Sequence, residues 1–254
     1  MISVIPIKTK RLLKNPLTDI LIIIKGKLKN KDILVLTSKI VSLEYNGLID
    51  LRKIVFNKEA IKLGKKYTIS PQFAQLVINE SDQVLGGVKR AVLTLKSGIL
   101  MANAGIDVSN VPENYVVKLP NNLEQIADEI RLKIKRITGK NIGLVVIDSV
   151  CLPLRLGTHH YALAISGFNG IIDERNKKDL YHKPMKITTH NIADEIASMA
   201  GLIMGERNKR IPAVIIRGLP VKFTNLFAKK LTKELIINRR QDLFREVLRL
   251  NLPY

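Results

Sequence analysis

A chain of 254 residues with 46% hydrophobic content has room for one large domain or two small ones, with apolar matter for a substantial core. No 18-residue apolar run marks a membrane span, and Lys8 interrupts the N-terminus before any long apolar segment, which argues against a secretory signal. The formal net charge of +20 is spread along the whole chain, and aromatics make up 5% with no Trp, so a base-stacking nucleic-acid platform is poorly supported while small anions such as nucleotides would be drawn in.

In chain order, Ile2 to Ile7 reads as a strand stopped by Lys8-Thr9-Lys10-Arg11. Pro16-Leu17-Thr18-Asp19 starts a helix running through Ile20, Leu21, Ile24 and Leu28. Asp32 to Leu36 is a buried-type strand that ends at Thr37-Ser38-Lys39. Two readings of that ending stay open. Small hydroxyls and a cation suit phosphate contact, and the same Ser38 suits a helix N-cap. Ser70-Pro71 reads as an N-cap with proline at the first helical position.

Ala91 to Leu95, the Lys96-Ser97-Gly98 turn and Ile99 to Ala102 read as strand, turn and strand. They lead into Asn103-Ala104-Gly105-Ile106-Asp107-Val108-Ser109-Asn110. The rest of the chain is organised around this stretch, and it too has two readings. Asp107, Ser109 and Asn110 are oxygen and amide groups of the kind that a hard cation or a polyphosphate requires, or they are the turn chemistry of a strand exit.

Asn121 or Asn122 caps a long amphipathic helix through Leu123, Ile126, Ile130, Ile134 and Ile137, with Gly139 as its stop. Ile142 to Ile147 is a central strand that delivers Asp148 and Ser149 at its exit. Two carboxylates at strand ends, Asp107 and Asp148, suit a divalent metal and a triphosphate, provided that they meet in space. The single cysteine, Cys151, excludes an intrachain disulfide framework and fits a reducing, cytoplasmic setting. His159 and His160 are adjacent on a strand and point to opposite sides, so they are read as structural or substrate-facing rather than as joint metal ligands.

Met185 to Thr189 reads as a strand, and Asn191 caps a helix that runs to Met204. Glu206 follows Gly205 at that helix's C-terminal end, where a carboxylate is electrostatically misplaced. It is therefore a better ligand candidate than Asp194 or Glu195 in the first turn. Pro212 to Ile216 is a further buried strand, and two helices near Thr224 to Glu234 and Asn238 to Leu250 finish the chain. There is no internal repeat and no Walker-type glycine loop.

These pieces, in this order, resemble the coenzyme F-420:L-glutamate ligase (γ-glutamyl ligase) family. The resemblance is carried by Leu34 to Lys39, Asn103 to Asn110, Gly143 to Ser149, Arg155-Leu156-Gly157, Ala164 to Gly167, Lys178 to Tyr181, Ala193 to Ala197, Met204-Gly205-Glu206 and Pro212 to Gly218. It implies a mixed α/β, α+β fold over residues 1–254, as one domain of two intimately associated subdomains with discontinuous boundaries, in an intertwined homodimer. It implies GTP-dependent amide formation between L-glutamate and an acceptor carboxylate activated as an acyl phosphate, the acceptor being a deazaflavin (F-420-0) or, in some members, a folate. Two divalent cations per site, Mn²⁺ or Mg²⁺, are implied, with K⁺ as a further ion.

By position, Asp107 and Asp148 resemble metal ligands, with Ser149 and Glu206 supporting a second metal. Lys10, Arg11, Leu12, Leu13, Ser38, Lys39, Asn110, Met204, Gly205 and Arg207 resemble nucleotide contacts, within a segment that reaches Asn208. Arg155 is the cation expected to stabilise charge at the transferring phosphoryl group. The chain departs from the family at Ser42-Leu43-Glu44-Tyr45-Asn46-Gly47, where a Lys is usual, and at Val150-Cys151-Leu152-Pro153, where Gly-Arg is usual. With the +20 charge, these departures motivate a rival expectation, a non-catalytic nucleotide or RNA binder on the same fold.

Overall fold

The computed structural model describes residues 1–10 and 16–246. In chain order the elements are β1 (Ser3–Ile7), α1 (Pro16–Ile24), β2 (Ile33–Thr37), α2 (Ser38–Glu44), β3 (Leu48–Asp50), α3 (Lys58–Tyr67), α4 (Pro71–Glu80), β4 (Gln83–Val88), β5 (Ala91–Lys96) and β6 (Ile99–Ala102). They continue with β7 (Tyr115–Val117), α5 (Leu123–Thr138), β8 (Gly143–Cys151), β9 (Thr158–Ser166), β10 (Ile171–Asp173), β11 (Thr189–Asn191), α6 (Ile192–Met204), β12 (Ala213–Arg217) and α7 (Ala228–Lys233).

The main sheet has the order β1-β12-β2-β8-β9, in which only β2 and β8 are parallel. Its central strands are apolar on both faces because both faces are covered. Leu34 and Leu36 of β2, with Leu144 and Val146 of β8, pack under α1, α2 and α5. Ile33, Val35, Val145 and Ile147 point the other way, onto Ala193, Ile196, Ala197 and Ala200 of α6. This is the two-residue period of a strand read out as two core layers. Burying each such side chain stabilises the fold by about 1.5–3 kcal/mol.

A second assembly holds the β4-β5-β6 sheet, the β3-β7 pair and helices α3 and α4 around Tyr67, Phe73, Leu76, Val77 and Val92. The architecture is thus mixed α+β, with several sheets flanked by helices, as the resemblance implied. No helix among the described residues is long and apolar enough to cross a membrane.

Caps explain several boundaries. The Ser70 hydroxyl accepts from Phe73 N at 3.2 Å, and the Asn191 side chain accepts from Asp194 N at 3.1 Å. Four local expectations are corrected. Helix α1 stops at Ile24 rather than Leu28, because the chain turns at Lys25-Gly26-Lys27. Asn122 stands at the start of α5, but its side chain makes no capping bond. Met185 to Thr188 is loop, since its side chains stay largely exposed and no sheet covers an apolar face there; only Thr189 joins a strand, in β11. At the C-terminus α7 is shorter than expected, and a 3-10 turn at Arg239–Gln241 stands where a helix was read, with 247–254 outside the described residues.

Candidate active site

The parallel pair β2–β8 ends in register, Thr37 opposite Ile147, so Ser38 and Asp148 leave the sheet side by side. Beyond these strand ends lies a cavity of about 460 Å³. Ligand sites in sheets of this kind sit at the carboxyl ends of parallel strands. The cavity is closed on a second side by the Asp107–Val111 loop and on a third by the turn after α6.

Asp107 is delivered by an unusual turn. Asn103, Ala104 and Gly105 are all left-handed, with φ of 52°, 54° and 72°. Only the glycine adopts this freely, and an alanine there costs about 1–2 kcal/mol. The fully buried Thr94 of β5 holds the turn: its hydroxyl accepts from Ala104 N at 2.9 Å and donates to Met101 O at 2.8 Å. The Asn103 side chain accepts from Val92 N at 2.9 Å. From this turn the chain pairs Asp107 with Val117 and presents the carboxylate at the cavity.

Lys39, at the start of α2, spans the two assemblies. Its ammonium lies 2.6 Å from Asp107 Oδ2, and it donates to the Ser109 carbonyl at 2.8 Å and hydroxyl at 2.7 Å. Ser109 N donates to Asp107 Oδ1 at 2.7 Å. Of the two readings of Ser38, the cap is not the one observed. Thr37 occupies the cap position without a side-chain bond, and Ser38 is the first helical residue, facing the cavity.

Asp148 sits deeper. Burial pushes its carboxyl up to about 7, and the Asp107 charge adds to the rise against the Ser149 amide, Lys39 and Ser38. Two distant acids of the sequence therefore feel one another across the cavity. A β-bulge between Val146 and Ile147 of β8 resets the register just before Asp148. Asp194 of α6 accepts from Ala162 N opposite the bulge at 2.8 Å, which gives this partly buried carboxylate a structural partner.

Glu206 comes from the other side. Helix α6 ends at Gly205, whose φ of 66° turns the chain back over the cavity. Glu206 Oε1 accepts from Thr158 Oγ1 at 3.0 Å and lies 3.4 Å from His160 Nε2. Those contacts offset the unfavourable placement of a carboxylate at a helix C-terminus.

The structure thus brings Lys10, Ser38, Lys39, Asp107, Asn110, Asp148, Ser149, Met204, Gly205, Glu206 and Arg207 to one cavity. Arg155 is not brought there. It rides on the β8–β9 connection, where residues 151–159 are all exposed. Arg11, Leu12 and Leu13 lie outside the described residues. Arg210, which is not among the residues expected from sequence, also lines the cavity, with its φ at 57° and its carbonyl accepting from Thr9 N at 2.9 Å. Its signal was the Arg207-Asn208-Lys209-Arg210 run directly ahead of a buried strand. His160 also lines the cavity, on the substrate-facing side of the two readings given to the histidine pair.

Divalent cations fit this donor set. Asp148 is a partly buried carboxylate whose charge is disfavoured by its surroundings, and Asp107 already attracts a cation. Among the described residues no three His, Cys, Asp or Glu side chains form a complete cage. One or two carboxylates with substrate phosphates supplying the rest is the usual design for Mg²⁺.

Residues 5–218 match the family model described as F420-0:Gamma-glutamyl ligase. The chain is 37% identical over 219 residues to the coenzyme F420:L-glutamate ligase of Methanocaldococcus jannaschii, covering 86% of each chain. It is 38% identical to that of Methanococcus maripaludis strain C7, covering 88% of this chain and 89% of the relative. It is 31% identical to that of Methanothermobacter thermautotrophicus, covering 84% of each. The chain belongs to the F420-0:gamma-glutamyl ligase family.

Proposed function

We propose that this ligase joins L-glutamate to the carboxylate of a deazaflavin acceptor of the F420-0 type, with GTP as the energy source. The single observation that carries the reading is the meeting of Asp107 and Asp148, from different sheets, in one cavity rimmed by Lys10, Arg207 and Arg210. Family membership and the activity for which the relatives are named support the acceptor. The chemistry follows in two displacements. An acceptor carboxylate oxygen attacks the γ-phosphorus of GTP, the bond to the β-phosphate oxygen breaks, and GDP leaves. The amine of L-glutamate, having lost a proton, attacks the acyl carbon; the carbon–oxygen bond to phosphate breaks and inorganic phosphate departs.

Mn²⁺ or Mg²⁺ held by Asp107 and Asp148, with Ser149 and Glu206 toward a second ion, would neutralise the triphosphate. The remaining work belongs to the chain. Lys10, Arg207 and Arg210 bind phosphate oxygens and screen them from the incoming carboxylate, Ser38 and Asn110 orient them, and Lys39 holds the Asp107 loop against α2. We also infer a homodimer. The family resemblance implies it, and Leu154 and Leu156 on the β8–β9 connection, with Leu180, Tyr181 and Ile187 on the loop before β11, are strongly exposed apolar groups that a second copy would cover.

The test is incubation of purified protein with GTP, Mn²⁺ and L-glutamate plus either the deazaflavin acceptor or a folate. Phosphate release with a glutamylated deazaflavin supports the reading. Glutamylation of folate alone would reassign the acceptor. Turnover with neither, together with salt-sensitive RNA binding, would favour the non-catalytic rival.

A further inference from the structure

His160 lines the cavity but takes no part in the chemistry proposed above. It stands in β9 directly across from Ser149, so both side chains emerge on the same face of the sheet. That face is covered by α6, and the imidazole meets the helix at Gly201. A β-carbon built at Gly201 would overlap the ring of His160. Glycine is a poor choice inside a helix, so its presence in the last turn of α6 marks a close approach. The notch admits the ring, and the His160 backbone is fixed as well, its carbonyl accepting from Ser198 Oγ at 3.0 Å. Seated this way, Nε2 lies 3.4 Å from Glu206 Oε1, the oxygen that also accepts from Thr158. Glu206 Oε2 has no partner among the described residues.

We propose that His160 is the positioning residue for Glu206: the imidazole, seated in the Gly201 notch, holds Oε1 so that Oε2 faces the Ser149 side of the cavity as a ready ligand for a divalent cation. This rests on the reading of the cavity as a metal–nucleotide site. Without the ring, the Thr158 hydroxyl alone holds a half-exposed glutamate at the end of a helix over the cavity, and the affinity of that side for a cation falls. Nε2 is the imidazole nitrogen that faces Oε1, and the amide of a glutamine places a donor at a similar reach. Orientation of a metal ligand by a hydrogen-bonded neighbour is worth about 10–100-fold in metal affinity.

The experiment is Mn²⁺ titration followed by the paramagnetic resonance signal of free Mn²⁺, with thermal melts run in parallel. The native chain, His160→Leu, His160→Gln, Gly201→Ala and the double variant His160→Ala/Gly201→Ala are compared. In His160→Leu the weaker Mn²⁺ site is expected to lose about tenfold or more in affinity while the tighter one holds. His160→Gln is expected to recover most of that loss. Gly201→Ala should displace the ring, lowering both the melting temperature and Mn²⁺ affinity at the weaker site. In the double variant the melting temperature returns, because the ring is gone, and the affinity does not. Native Mn²⁺ binding in folded His160→Leu would overturn the inference and leave the proposed function standing, as would a Gly201→Ala chain that melts and binds like the native one. A native chain that binds no Mn²⁺, with or without GTP, would overturn the proposed function itself. Should Gly201→Ala fail to fold, the contrast between His160→Leu and His160→Gln decides alone.

Discussion

Replacing Thr94 by valine keeps the shape of a fully buried residue and removes one hydroxyl. That hydroxyl has two partners, Ala104 N at 2.9 Å and Met101 O at 2.8 Å. Ala104 is itself fully buried, so its amide would be left without an acceptor, at about 1–3 kcal/mol, and the lost bond to Met101 adds about 1 kcal/mol. The expected loss is about 2–4 kcal/mol by urea unfolding. The left-handed conformation of Ala104 gives the damage a direction. It is disfavoured by about 1–2 kcal/mol, and the Thr94 hydroxyl helps to hold it. Freed, the turn relaxes, and Asp107 two residues beyond Gly105 moves with it. Affinity for GTP with Mn²⁺ should then fall by about tenfold, the equivalent of 1.4 kcal/mol. Thr94→Ser, which keeps the hydroxyl, should stay close to native in both measurements. A Thr94→Val chain within about 0.5 kcal/mol of native stability and with native GTP affinity would refute the claim that this hydroxyl holds the site.

Two further outcomes follow from the same structure. Asp32 is fully buried just ahead of β2, and Arg217 grips it with Nε and Nη2, both at 2.8 Å; Arg217→Met should therefore destabilise by about 3–5 kcal/mol in urea, and adding Asp32→Asn should recover part of the loss. Burial raises the Glu80 carboxyl, but bonds from Lys118 at 2.7 Å and Lys96 at 3.0 Å outweigh it and hold the group below its ordinary 4.5. A depressed carboxylate contributes stability that is complete above its unfolded value and lost as pH falls through the folded one. Melting of the native chain should thus drop below about pH 4.5, and Glu80→Gln should be less stable near neutrality with a flatter acid limb.

The parts of the fold legible in sequence are those fixed by short-range pattern. Ile33 to Leu36, Leu144 to Ile147 and Ala213 to Ile216 are continuous apolar runs, and only a sheet covered on both faces uses them. Ser70-Pro71 and Asn191 announce their helices because capping is local chemistry. The site was legible as a set of strand and helix exits, but its assembly was not. That Asp107 and Asp148 share a cavity depends on Lys39 joining two assemblies, a contact between residues 68 positions apart in sequence. The left-handed Ala104 has no residue signature, since alanine disfavours that conformation and Thr94 imposes it from the next strand but one. Met185 to Thr189 alternates like a strand yet lacks a layer to bury its apolar side. Arg155 looked close to Asp148 in sequence, and the extension of β8 into a hairpin carried it away from the cavity.

On the proposed reading, carboxylates from two sheets jointly grip a metal-bound triphosphate. The most direct measurement is GTP affinity by calorimetry, with and without Mn²⁺, for the native chain, Asp107→Asn and Asp148→Asn. Mn²⁺ is expected to tighten GTP binding at least about tenfold in the native chain, and each substitution to abolish most of this gain while the protein stays folded. GTP affinity independent of Mn²⁺, or a metal-dependent gain that survives both substitutions, would contradict it.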